Sequence, residues 1–219
     1  MSRLLSDISS YSAVIPFLVA IFKWRRKLSF HLPLFLYVTL SFCNETWADI
    51  AIRSGHYTWS RSAGNFYVLA ETVLLIWQFR NWGLFNRRSW LFSLVLAMIF
   101  ACWIVFVLLG IGLNAAASWY DIIASFTISI VAISNLNLIF SQNWSDFLKN
   151  TNFIVTIACI FFFTFRVVND VFYMYGLDKD LHFISNVYTI LYFVNLIYNL
   201  LLAYGLLWTD RKQPYLLRY

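Results

Sequence analysis

Apolar residues of this chain run in seven long stretches, separated by short polar segments. The stretches cover residues 11–24, 29–53, 63–80, 89–112, 119–141, 151–175 and 181–208. A helix needs about 20 predominantly apolar residues to cross the hydrocarbon core of a bilayer. The pattern therefore predicts an all-α polytopic membrane protein with seven transmembrane helices, numbered here as spans one to seven. Because the intervening loops are short, residues 1–219 are predicted to form a single transmembrane domain.

Polar side chains recur on one face of five of these spans. In span two, Tyr37, Ser41, Glu45 and Asp49 follow one another at intervals of four residues, which places them on a single helical face. The comparable stripes in spans three, five, six and seven are Tyr67, Glu71 and Gln78; Asp121, Ser125 and Ser129; Arg166, Asn169 and Asp170; and Ser185, Tyr188, Tyr192, Asn195 and Asn199. Charged groups are costly in lipid, so we expect these faces to be buried against one another.

Span four has no such stripe. Its residues from Trp90 to Gly112 are apolar on every side, which is typical of a helix that faces lipid or a partner subunit. We therefore expect span four at the periphery of the bundle and consider it the surface for contact with a second copy of the chain.

Composition and charge exclude other classes of protein. Hydrophobic residues make up 61% of the chain and charged residues 12%, too apolar for a soluble domain of this length. Eleven Lys and Arg residues follow spans one, three, five and seven, against only Arg53, Arg61 and Lys179 in the intervening segments. This asymmetry predicts an N-terminus outside and a C-terminus in the cytoplasm. The net charge of +6 then reflects the orientation of the chain in the membrane. We expect the chain to have the lipid bilayer as a partner and to bind no nucleic acid.

The stripes define a candidate ligand site. With this orientation, spans two, three, six and seven are predicted to enclose an outward-facing cavity. The residues predicted to line it are Glu45, Asp49, Tyr67, Glu71, Arg166, Asp170, Tyr188 and Asn195. Arg166 is expected to pair with Asp170 one turn away, or with Glu45 or Glu71 from another helix. Because carboxylates exceed basic groups, the site favours a small cationic or zwitterionic ligand, or proton-linked chemistry.

Some of these polar residues have a plainer interpretation. Hydrogen bonds between membrane helices contribute about 0.6 kcal/mol on average, and Asn135, Asn137, Asn195 and Asn199 suit that role. Asp49 and Asp121 also fit ordinary positions near the ends of spans, in contact with headgroups and water.

Catalytic and metal-binding signatures are sparse. His31, His56 and His182 lie at span ends without helical pairing to a carboxylate, and Cys43, Cys102 and Cys159 are too far apart for a metal motif. We therefore assign no catalytic residue and expect no cofactor. Glu45 and Glu71 offer an acid and a base for an intramembrane hydrolase, but no nucleophile stands beside them.

One sequence pattern resembles a known group of proteins. Tyr67-x-x-x-Glu71 is followed by an aliphatic run and Arg80-x-Trp82, with Glu45 upstream and the segment 199–208 near the C-terminus. This pattern is similar to that of small bacterial seven-helix membrane proteins of unassigned function. The resemblance implies the fold and a polar core, and it names no substrate. The chain does not resemble a retinal-binding rhodopsin, because span seven lacks the lysine that forms the Schiff base.

Three functions are consistent with the sequence. The first is a receptor-like or sensory protein of the bacterial cytoplasmic (inner) membrane, which would need a cytoplasmic signalling partner because the chain has no output domain of its own. The second is a proton-coupled transporter of a small solute, although no internal repeat supports it. The third is an intramembrane enzyme.

Overall fold

A computed structural model describes residues 8–23, 28–113, 117–141, 147–176 and 181–209. Within these ranges the chain forms seven long helices, one 3-10 turn at Phe147–Lys149 and no strand. The helices are α1 (Val14–Lys23), α2 (Leu28–Arg53), α3 (Tyr57–Asn81), α4 (Ser89–Trp103, continued by a π-helix at Ile104–Ile111), α5 (Ser118–Phe140), α6 (Thr151–Gly176) and α7 (Leu181–Leu207). The predicted spans are confirmed as helices. The clearest difference is that α3 begins at Tyr57 and not at residue 63, because its first turns are helical but polar.

Six of the described helices form a closed ring. Going around it, α1 packs against α2, α2 against α3, α3 against α5, α5 against α6, α6 against α7, and α7 against α1. Hydrogen bonds fix the relative directions of the neighbours. Tyr37 of α2 reaches Glu71 of α3 and Leu34 reaches Gln78, so this pair is antiparallel. We call the end of the ring that holds the α2–α3 turn the N-terminal end.

Helix α4 lies outside the ring, against α3 and α5. Only 22% of its apolar span is buried, whereas 39–44% is buried in the apolar spans of α5, α6 and α7. Leu94, Met98, Val105 and Leu109 are among its exposed side chains. The predicted peripheral position of span four is thus confirmed. Contact of this face with a second copy of the chain stays a prediction.

Within the described part of the chain, four helices are long and apolar enough to cross a membrane, so the chain is an integral membrane protein. Their apolar spans are Ser89–Gly110, Ser118–Phe140, Thr151–Phe172 and Thr189–Leu207. Helices α2 and α3 are equally long, but their polar stripes lower their hydropathy, and the apolar helix at Ile8–Lys23 is short. Membrane crossing by α1, α2 and α3, and the direction of insertion, stay predictions.

Buried amides join neighbouring helices. The Asn135 Nδ2 atom of α5 donates to Asn152 Oδ1 at 2.6 Å and to Thr156 Oγ1 at 2.8 Å, both on α6. Asn199 of α7 donates to the Ser12 hydroxyl at 2.7 Å. The expected role of these two asparagines in joining helices is confirmed, whereas Asn137 is exposed on α5.

Helices α6 and α7 are in close contact at Gly205. The Thr151 hydroxyl of α6 donates to the Gly205 carbonyl at 3.0 Å. A Cβ atom built on Gly205 would lie 3.0 Å from Val155 Cγ2 and 3.4 Å from Ile154 Cγ2. Small residues let membrane helices approach in this way, so the α6–α7 contact depends on the missing side chain.

We expect Gly205→Val to destabilise the bundle by about 1–3 kcal/mol, because the added methyl groups enter a filled contact. Gly64→Ala is the matched control. No heavy atom lies within 4 Å of a Cβ built there, and replacing a mid-helix glycine stabilises by roughly 0.5–1 kcal/mol. Denaturant unfolding of the purified protein in detergent measures both changes. Equal stability of the two variants would contradict the close contact.

Candidate functional site: a cavity inside the helix ring

A cavity of about 420 Å³ lies inside the ring, toward its N-terminal end. The residues that line it come from the middle of α2 and α7, from the first half and middle of α3, from the start of α5, and from the middle and second half of α6. Ser9 and Ser10, in the helical turn before α1, also line it. On its rim Arg61 is exposed, so the cavity reaches the surface at this end.

Glu71 is the centre of the site. Its side chain is 2% exposed, and its Oε2 atom accepts a hydrogen bond from Arg166 Nη1 at 2.7 Å, forming an ion pair. Its Oε1 atom accepts from Tyr67, one turn earlier on α3, at 2.9 Å and from Tyr37 of α2 at 3.2 Å. Three donors therefore hold the carboxylate, and the ion pair compensates its charge in a region from which water is largely excluded.

The hydrogen bonds continue from Glu71 into the floor of the cavity. The hydroxyl oxygens of Tyr37 and Tyr198 are 2.8 Å apart. Because Tyr37 donates its one proton to Glu71, Tyr198 must be the donor in this second bond. The Tyr198 ring stacks on Phe162 with centroids 4.3 Å apart, and its hydroxyl lies 4.0 Å from the Cys159 sulfur. The floor thus couples α7 and α6 to α2 and α3.

Two other carboxylates of the cavity are left without full pairing. Among the described residues, Asp121 Oδ1 and Asp170 Oδ2 have no hydrogen-bond partner and almost no exposed surface. The other oxygen of Asp170 accepts only a long bond of 3.4 Å from Asn169. Arg166, which the spacing allows to pair with Asp170, binds Glu71 instead. Buried acceptors of this kind are rare and favour an outside partner.

Six of the eight predicted ligand-site residues line this cavity: Glu45, Tyr67, Glu71, Arg166, Asp170 and Asn195. Asn195 also donates to the Ser9 hydroxyl at 3.0 Å, so it joins helices as well. The side chain of Tyr188 lies outside the described part of the structure. Asp49 does not line the cavity. It lies one turn beyond Glu45, where Arg53 Nε binds it at 2.8 Å and the Tyr11 hydroxyl lies 3.4 Å away.

Several lining residues were not predicted. Tyr198 was missed although it lies three residues after Asn195, a spacing that places both on one helical face. Arg61, predicted to lie in a loop, lies in α3, because the polar start of this helix hides its helical periodicity. Asn65 holds the segment before α5 by donating to the Leu113 carbonyl at 2.9 Å. Asp121 carried a signal, a carboxylate on the polar face of span five, but its position near a span end counted against it.

The cavity offers no evident metal site. Within the described residues, no group of three or more His, Cys, Asp or Glu side chains is arranged to hold a metal ion. What the arrangement offers chemically is a set of carboxylates, one compensated guanidinium and aromatic walls. These are the elements of a binding site for a positively charged organic molecule.

The buried pair Glu71–Arg166 and the exposed pair Asp49–Arg53 provide a matched test of the site's electrostatics. We expect Glu71→Gln or Arg166→Gln to lower the free energy of unfolding by about 3–5 kcal/mol, because each leaves a buried charge unpaired. The double variant should lose less than the sum of the two single variants.

The same substitutions in the other pair, Asp49→Asn and Arg53→Gln, should change the stability by about 0–1 kcal/mol, because both side chains are solvated. Those side chains are 39% and 65% exposed. Unfolding in detergent measures both cycles. Additive losses in the Glu71–Arg166 cycle would show that the two side chains do not interact.

No family model matches the sequence, no curated protein matches it, and no solved structure matches it. The resemblance to small bacterial seven-helix membrane proteins therefore stays a prediction.

Proposed function

We propose that this chain is a receptor-like or sensory membrane protein that binds a small cationic or zwitterionic molecule in the ring cavity. One observation carries the proposal. Asp121 and Asp170 present buried carboxylate oxygens without a partner among the described residues, while Glu71 already occupies the buried guanidinium of the cavity. A cation bound in the cavity compensates the charge of these two carboxylates, which both belong to its lining.

The size and the walls of the cavity support a small organic ligand. Its volume of about 420 Å³ lies within the range of roughly 300–1,000 Å³ that is usual for small-molecule sites. Phe162, Tyr192 and Tyr198 line it, and the faces of aromatic rings attract ammonium groups. An ammonium-bearing ligand therefore gains from the rings as well as from the carboxylates.

The hydrogen-bond network around Glu71 supports a receptor role. Through Tyr37, Arg166 and the Tyr37–Tyr198 bond, one carboxylate connects α2, α3, α6 and α7. A cationic ligand bound at Asp170, one turn from Arg166, changes the electrostatic environment of this network and so acts on contacts of all four helices at once. Such a redistribution of contacts is a common basis for passing a binding event to another polypeptide, which here would be a cytoplasmic signalling partner.

The basic loops favour one orientation of this receptor. The N-terminal end of the ring would face the outside of a bacterial cytoplasmic membrane, because Lys and Arg collect in the loops at the opposite end. The cavity would then take its ligand from the extracytoplasmic side.

A proton-coupled transporter is the second candidate, since unpaired carboxylates also suit proton exchange with a solute. Transport would require the floor to open, and Tyr37, Phe163 and Tyr198 are each at most 2% exposed there. Uptake of a bound amine into proteoliposomes, driven by a pH gradient, would favour the transporter. Binding without uptake would favour the receptor.

We expect small primary amines to bind the purified protein in nanodiscs, and Asp121→Asn or Asp170→Asn to weaken that binding about tenfold, or 1.4 kcal/mol. Each substitution removes a carboxylate charge and keeps the size of the side chain. Isothermal titration calorimetry with a panel of amines and amino acids measures the effect.

Asp49→Asn is the matched control for these variants. It removes a carboxylate of the same type from outside the cavity, so the affinity for amines should not change. Equal loss in all three variants would indicate a general charge effect and contradict a site at Asp121 and Asp170.

We expect cysteines at two exposed turns to label from opposite sides of the membrane. Ser54 lies in the α2–α3 turn and Asn86 in the α3–α4 turn. In a background with Cys43, Cys102 and Cys159 replaced by alanine, Ser54→Cys should react with an impermeant maleimide in intact cells, and Asn86→Cys only after permeabilisation. The reverse result would invert the proposed orientation, and labelling of both from one side would contradict membrane crossing by α3.

A further inference from the structure

We propose that the ligand is a small diamine, with one ammonium group bound by Asp121 and Asp170 and the other by Glu45. This inference rests on the proposed function and names the chemical class of its ligand. It depends on the charge balance of the cavity and on the positions of its carboxylates around the ring.

The charge balance calls for a dication. Among the described residues, the acidic and basic side chains that line the cavity are Glu45, Arg61, Glu71, Asp121, Arg166 and Asp170. Four acidic groups against two basic ones leave two uncompensated negative charges. Glu71 and Arg166 neutralise one another, and Arg61, exposed at the rim, offsets part of the charge of the other three carboxylates. A monocation would leave at least one carboxylate uncompensated.

The carboxylates stand on opposite walls. In the ring of six helices, α2, which carries Glu45, lies opposite α6, which carries Asp170. Asp121 is on α5, beside α6, close enough for its charge to interact with that of Asp170. The charge of Glu45 interacts with Glu71 and Arg166, as that of Asp121 also does, and Glu45 hydrogen-bonds with Ser10 on its own side of the ring. The cavity thus has two separate anionic positions.

Both positions lie on the open side of the Glu71–Arg166 pair. Asp170 follows Arg166 by four residues, about 6 Å along the helix at 1.5 Å per residue. Glu45 follows Tyr37, another contact of Glu71, by eight residues, about 12 Å. A ligand entering from the N-terminal end therefore meets both positions without displacing the ion pair.

The cavity lining is partly apolar, with Val68 and Leu191 among its residues. A methylene chain suits this surface, whereas a metal ion needs its ligands to converge on one point. The carboxylate of an amino acid would be repelled by Glu45, Asp121 and Asp170, because the buried guanidinium is already bound by Glu71. A diamine places one ammonium group at each anionic position and its methylene chain against the apolar part of the lining.

The test compares α,ω-diaminoalkanes of four to eight carbons with n-alkylamines of the same lengths, by calorimetry on the full-length protein in nanodiscs. We expect the best diamine to bind about tenfold more tightly than the matching monoamine, since each ammonium meets a partly buried carboxylate. Affinity should pass through a maximum with chain length, because the span between the two positions is fixed.

The variant Glu45→Gln isolates the second position. It should reduce the ratio of diamine to monoamine affinity to about one, while Asp170→Asn weakens both kinds of amine. Asp49→Asn, outside the cavity, should leave the ratio unchanged. An unchanged monoamine affinity of Glu45→Gln shows that this variant is folded.

The outcomes separate the two proposals. Equal affinity for diamines and monoamines at every length, or a ratio that Glu45→Gln does not change, would overturn the second ammonium position and leave the amine site standing. Absence of binding by both series would overturn the proposed function together with this inference.

Discussion

The ion pair between Glu71 and Arg166 is the interaction on which the arrangement of the ring depends. A single charged side chain at the centre of a membrane helix costs about 2.5–3.5 kcal/mol on insertion scales, so Arg166, in the apolar span of α6, needs a partner inside the protein, and Glu71 is that partner. The helices that carry them, α3 and α6, are not adjacent in the ring. The pair therefore spans the interior, and the other helices must close around it. Tyr37, Tyr67 and Tyr198 extend the same constraint to α2 and α7.

The choice of partner by Arg166 explains why the cavity is left with free acceptors. Asp170 is nearer in sequence, but Glu71 is the more deeply buried carboxylate, at 2% side-chain exposure, and would lose most by remaining unpaired. Once Glu71 holds the guanidinium, Asp170 and Asp121 keep unsatisfied oxygens. The pairing of Glu71 with Arg166 thus stabilises the interior and leaves carboxylates available to a cation at the open end of the cavity. In the proposed function, Glu71 is a structural charge, and Asp121 and Asp170 are the charges that bind the ligand.

The helices and the polar faces were predictable from the sequence, because periodicity fixes which side chains share a face. Convergence of Glu45, Glu71 and Arg166 on one cavity follows from it, since lipid excludes those faces. Periodicity does not predict which of several partners a side chain binds. For that reason Asp49 was wrongly predicted to line the cavity, because it binds Arg53, four residues further along α2. Nor does it reveal which buried tyrosine meets a polar group, so Tyr198 was missed. Arg61 was missed because hydropathy locates apolar runs and not helix starts.

The position of α4 outside the ring has a consequence for how this sequence can diverge. Helices α3 and α5 are ring neighbours that run in the same direction, so the chain must cross back between them, and α4 provides that crossing. Its length and overall apolarity are constrained by the bilayer, whereas most of its side chains have no specific neighbour to fit. Substitutions among Leu, Ile, Val, Phe and Met should accumulate in α4 with little effect on the fold. The sequence of α4 can therefore change rapidly, and Glu71 slowly, while related chains keep the same helix arrangement.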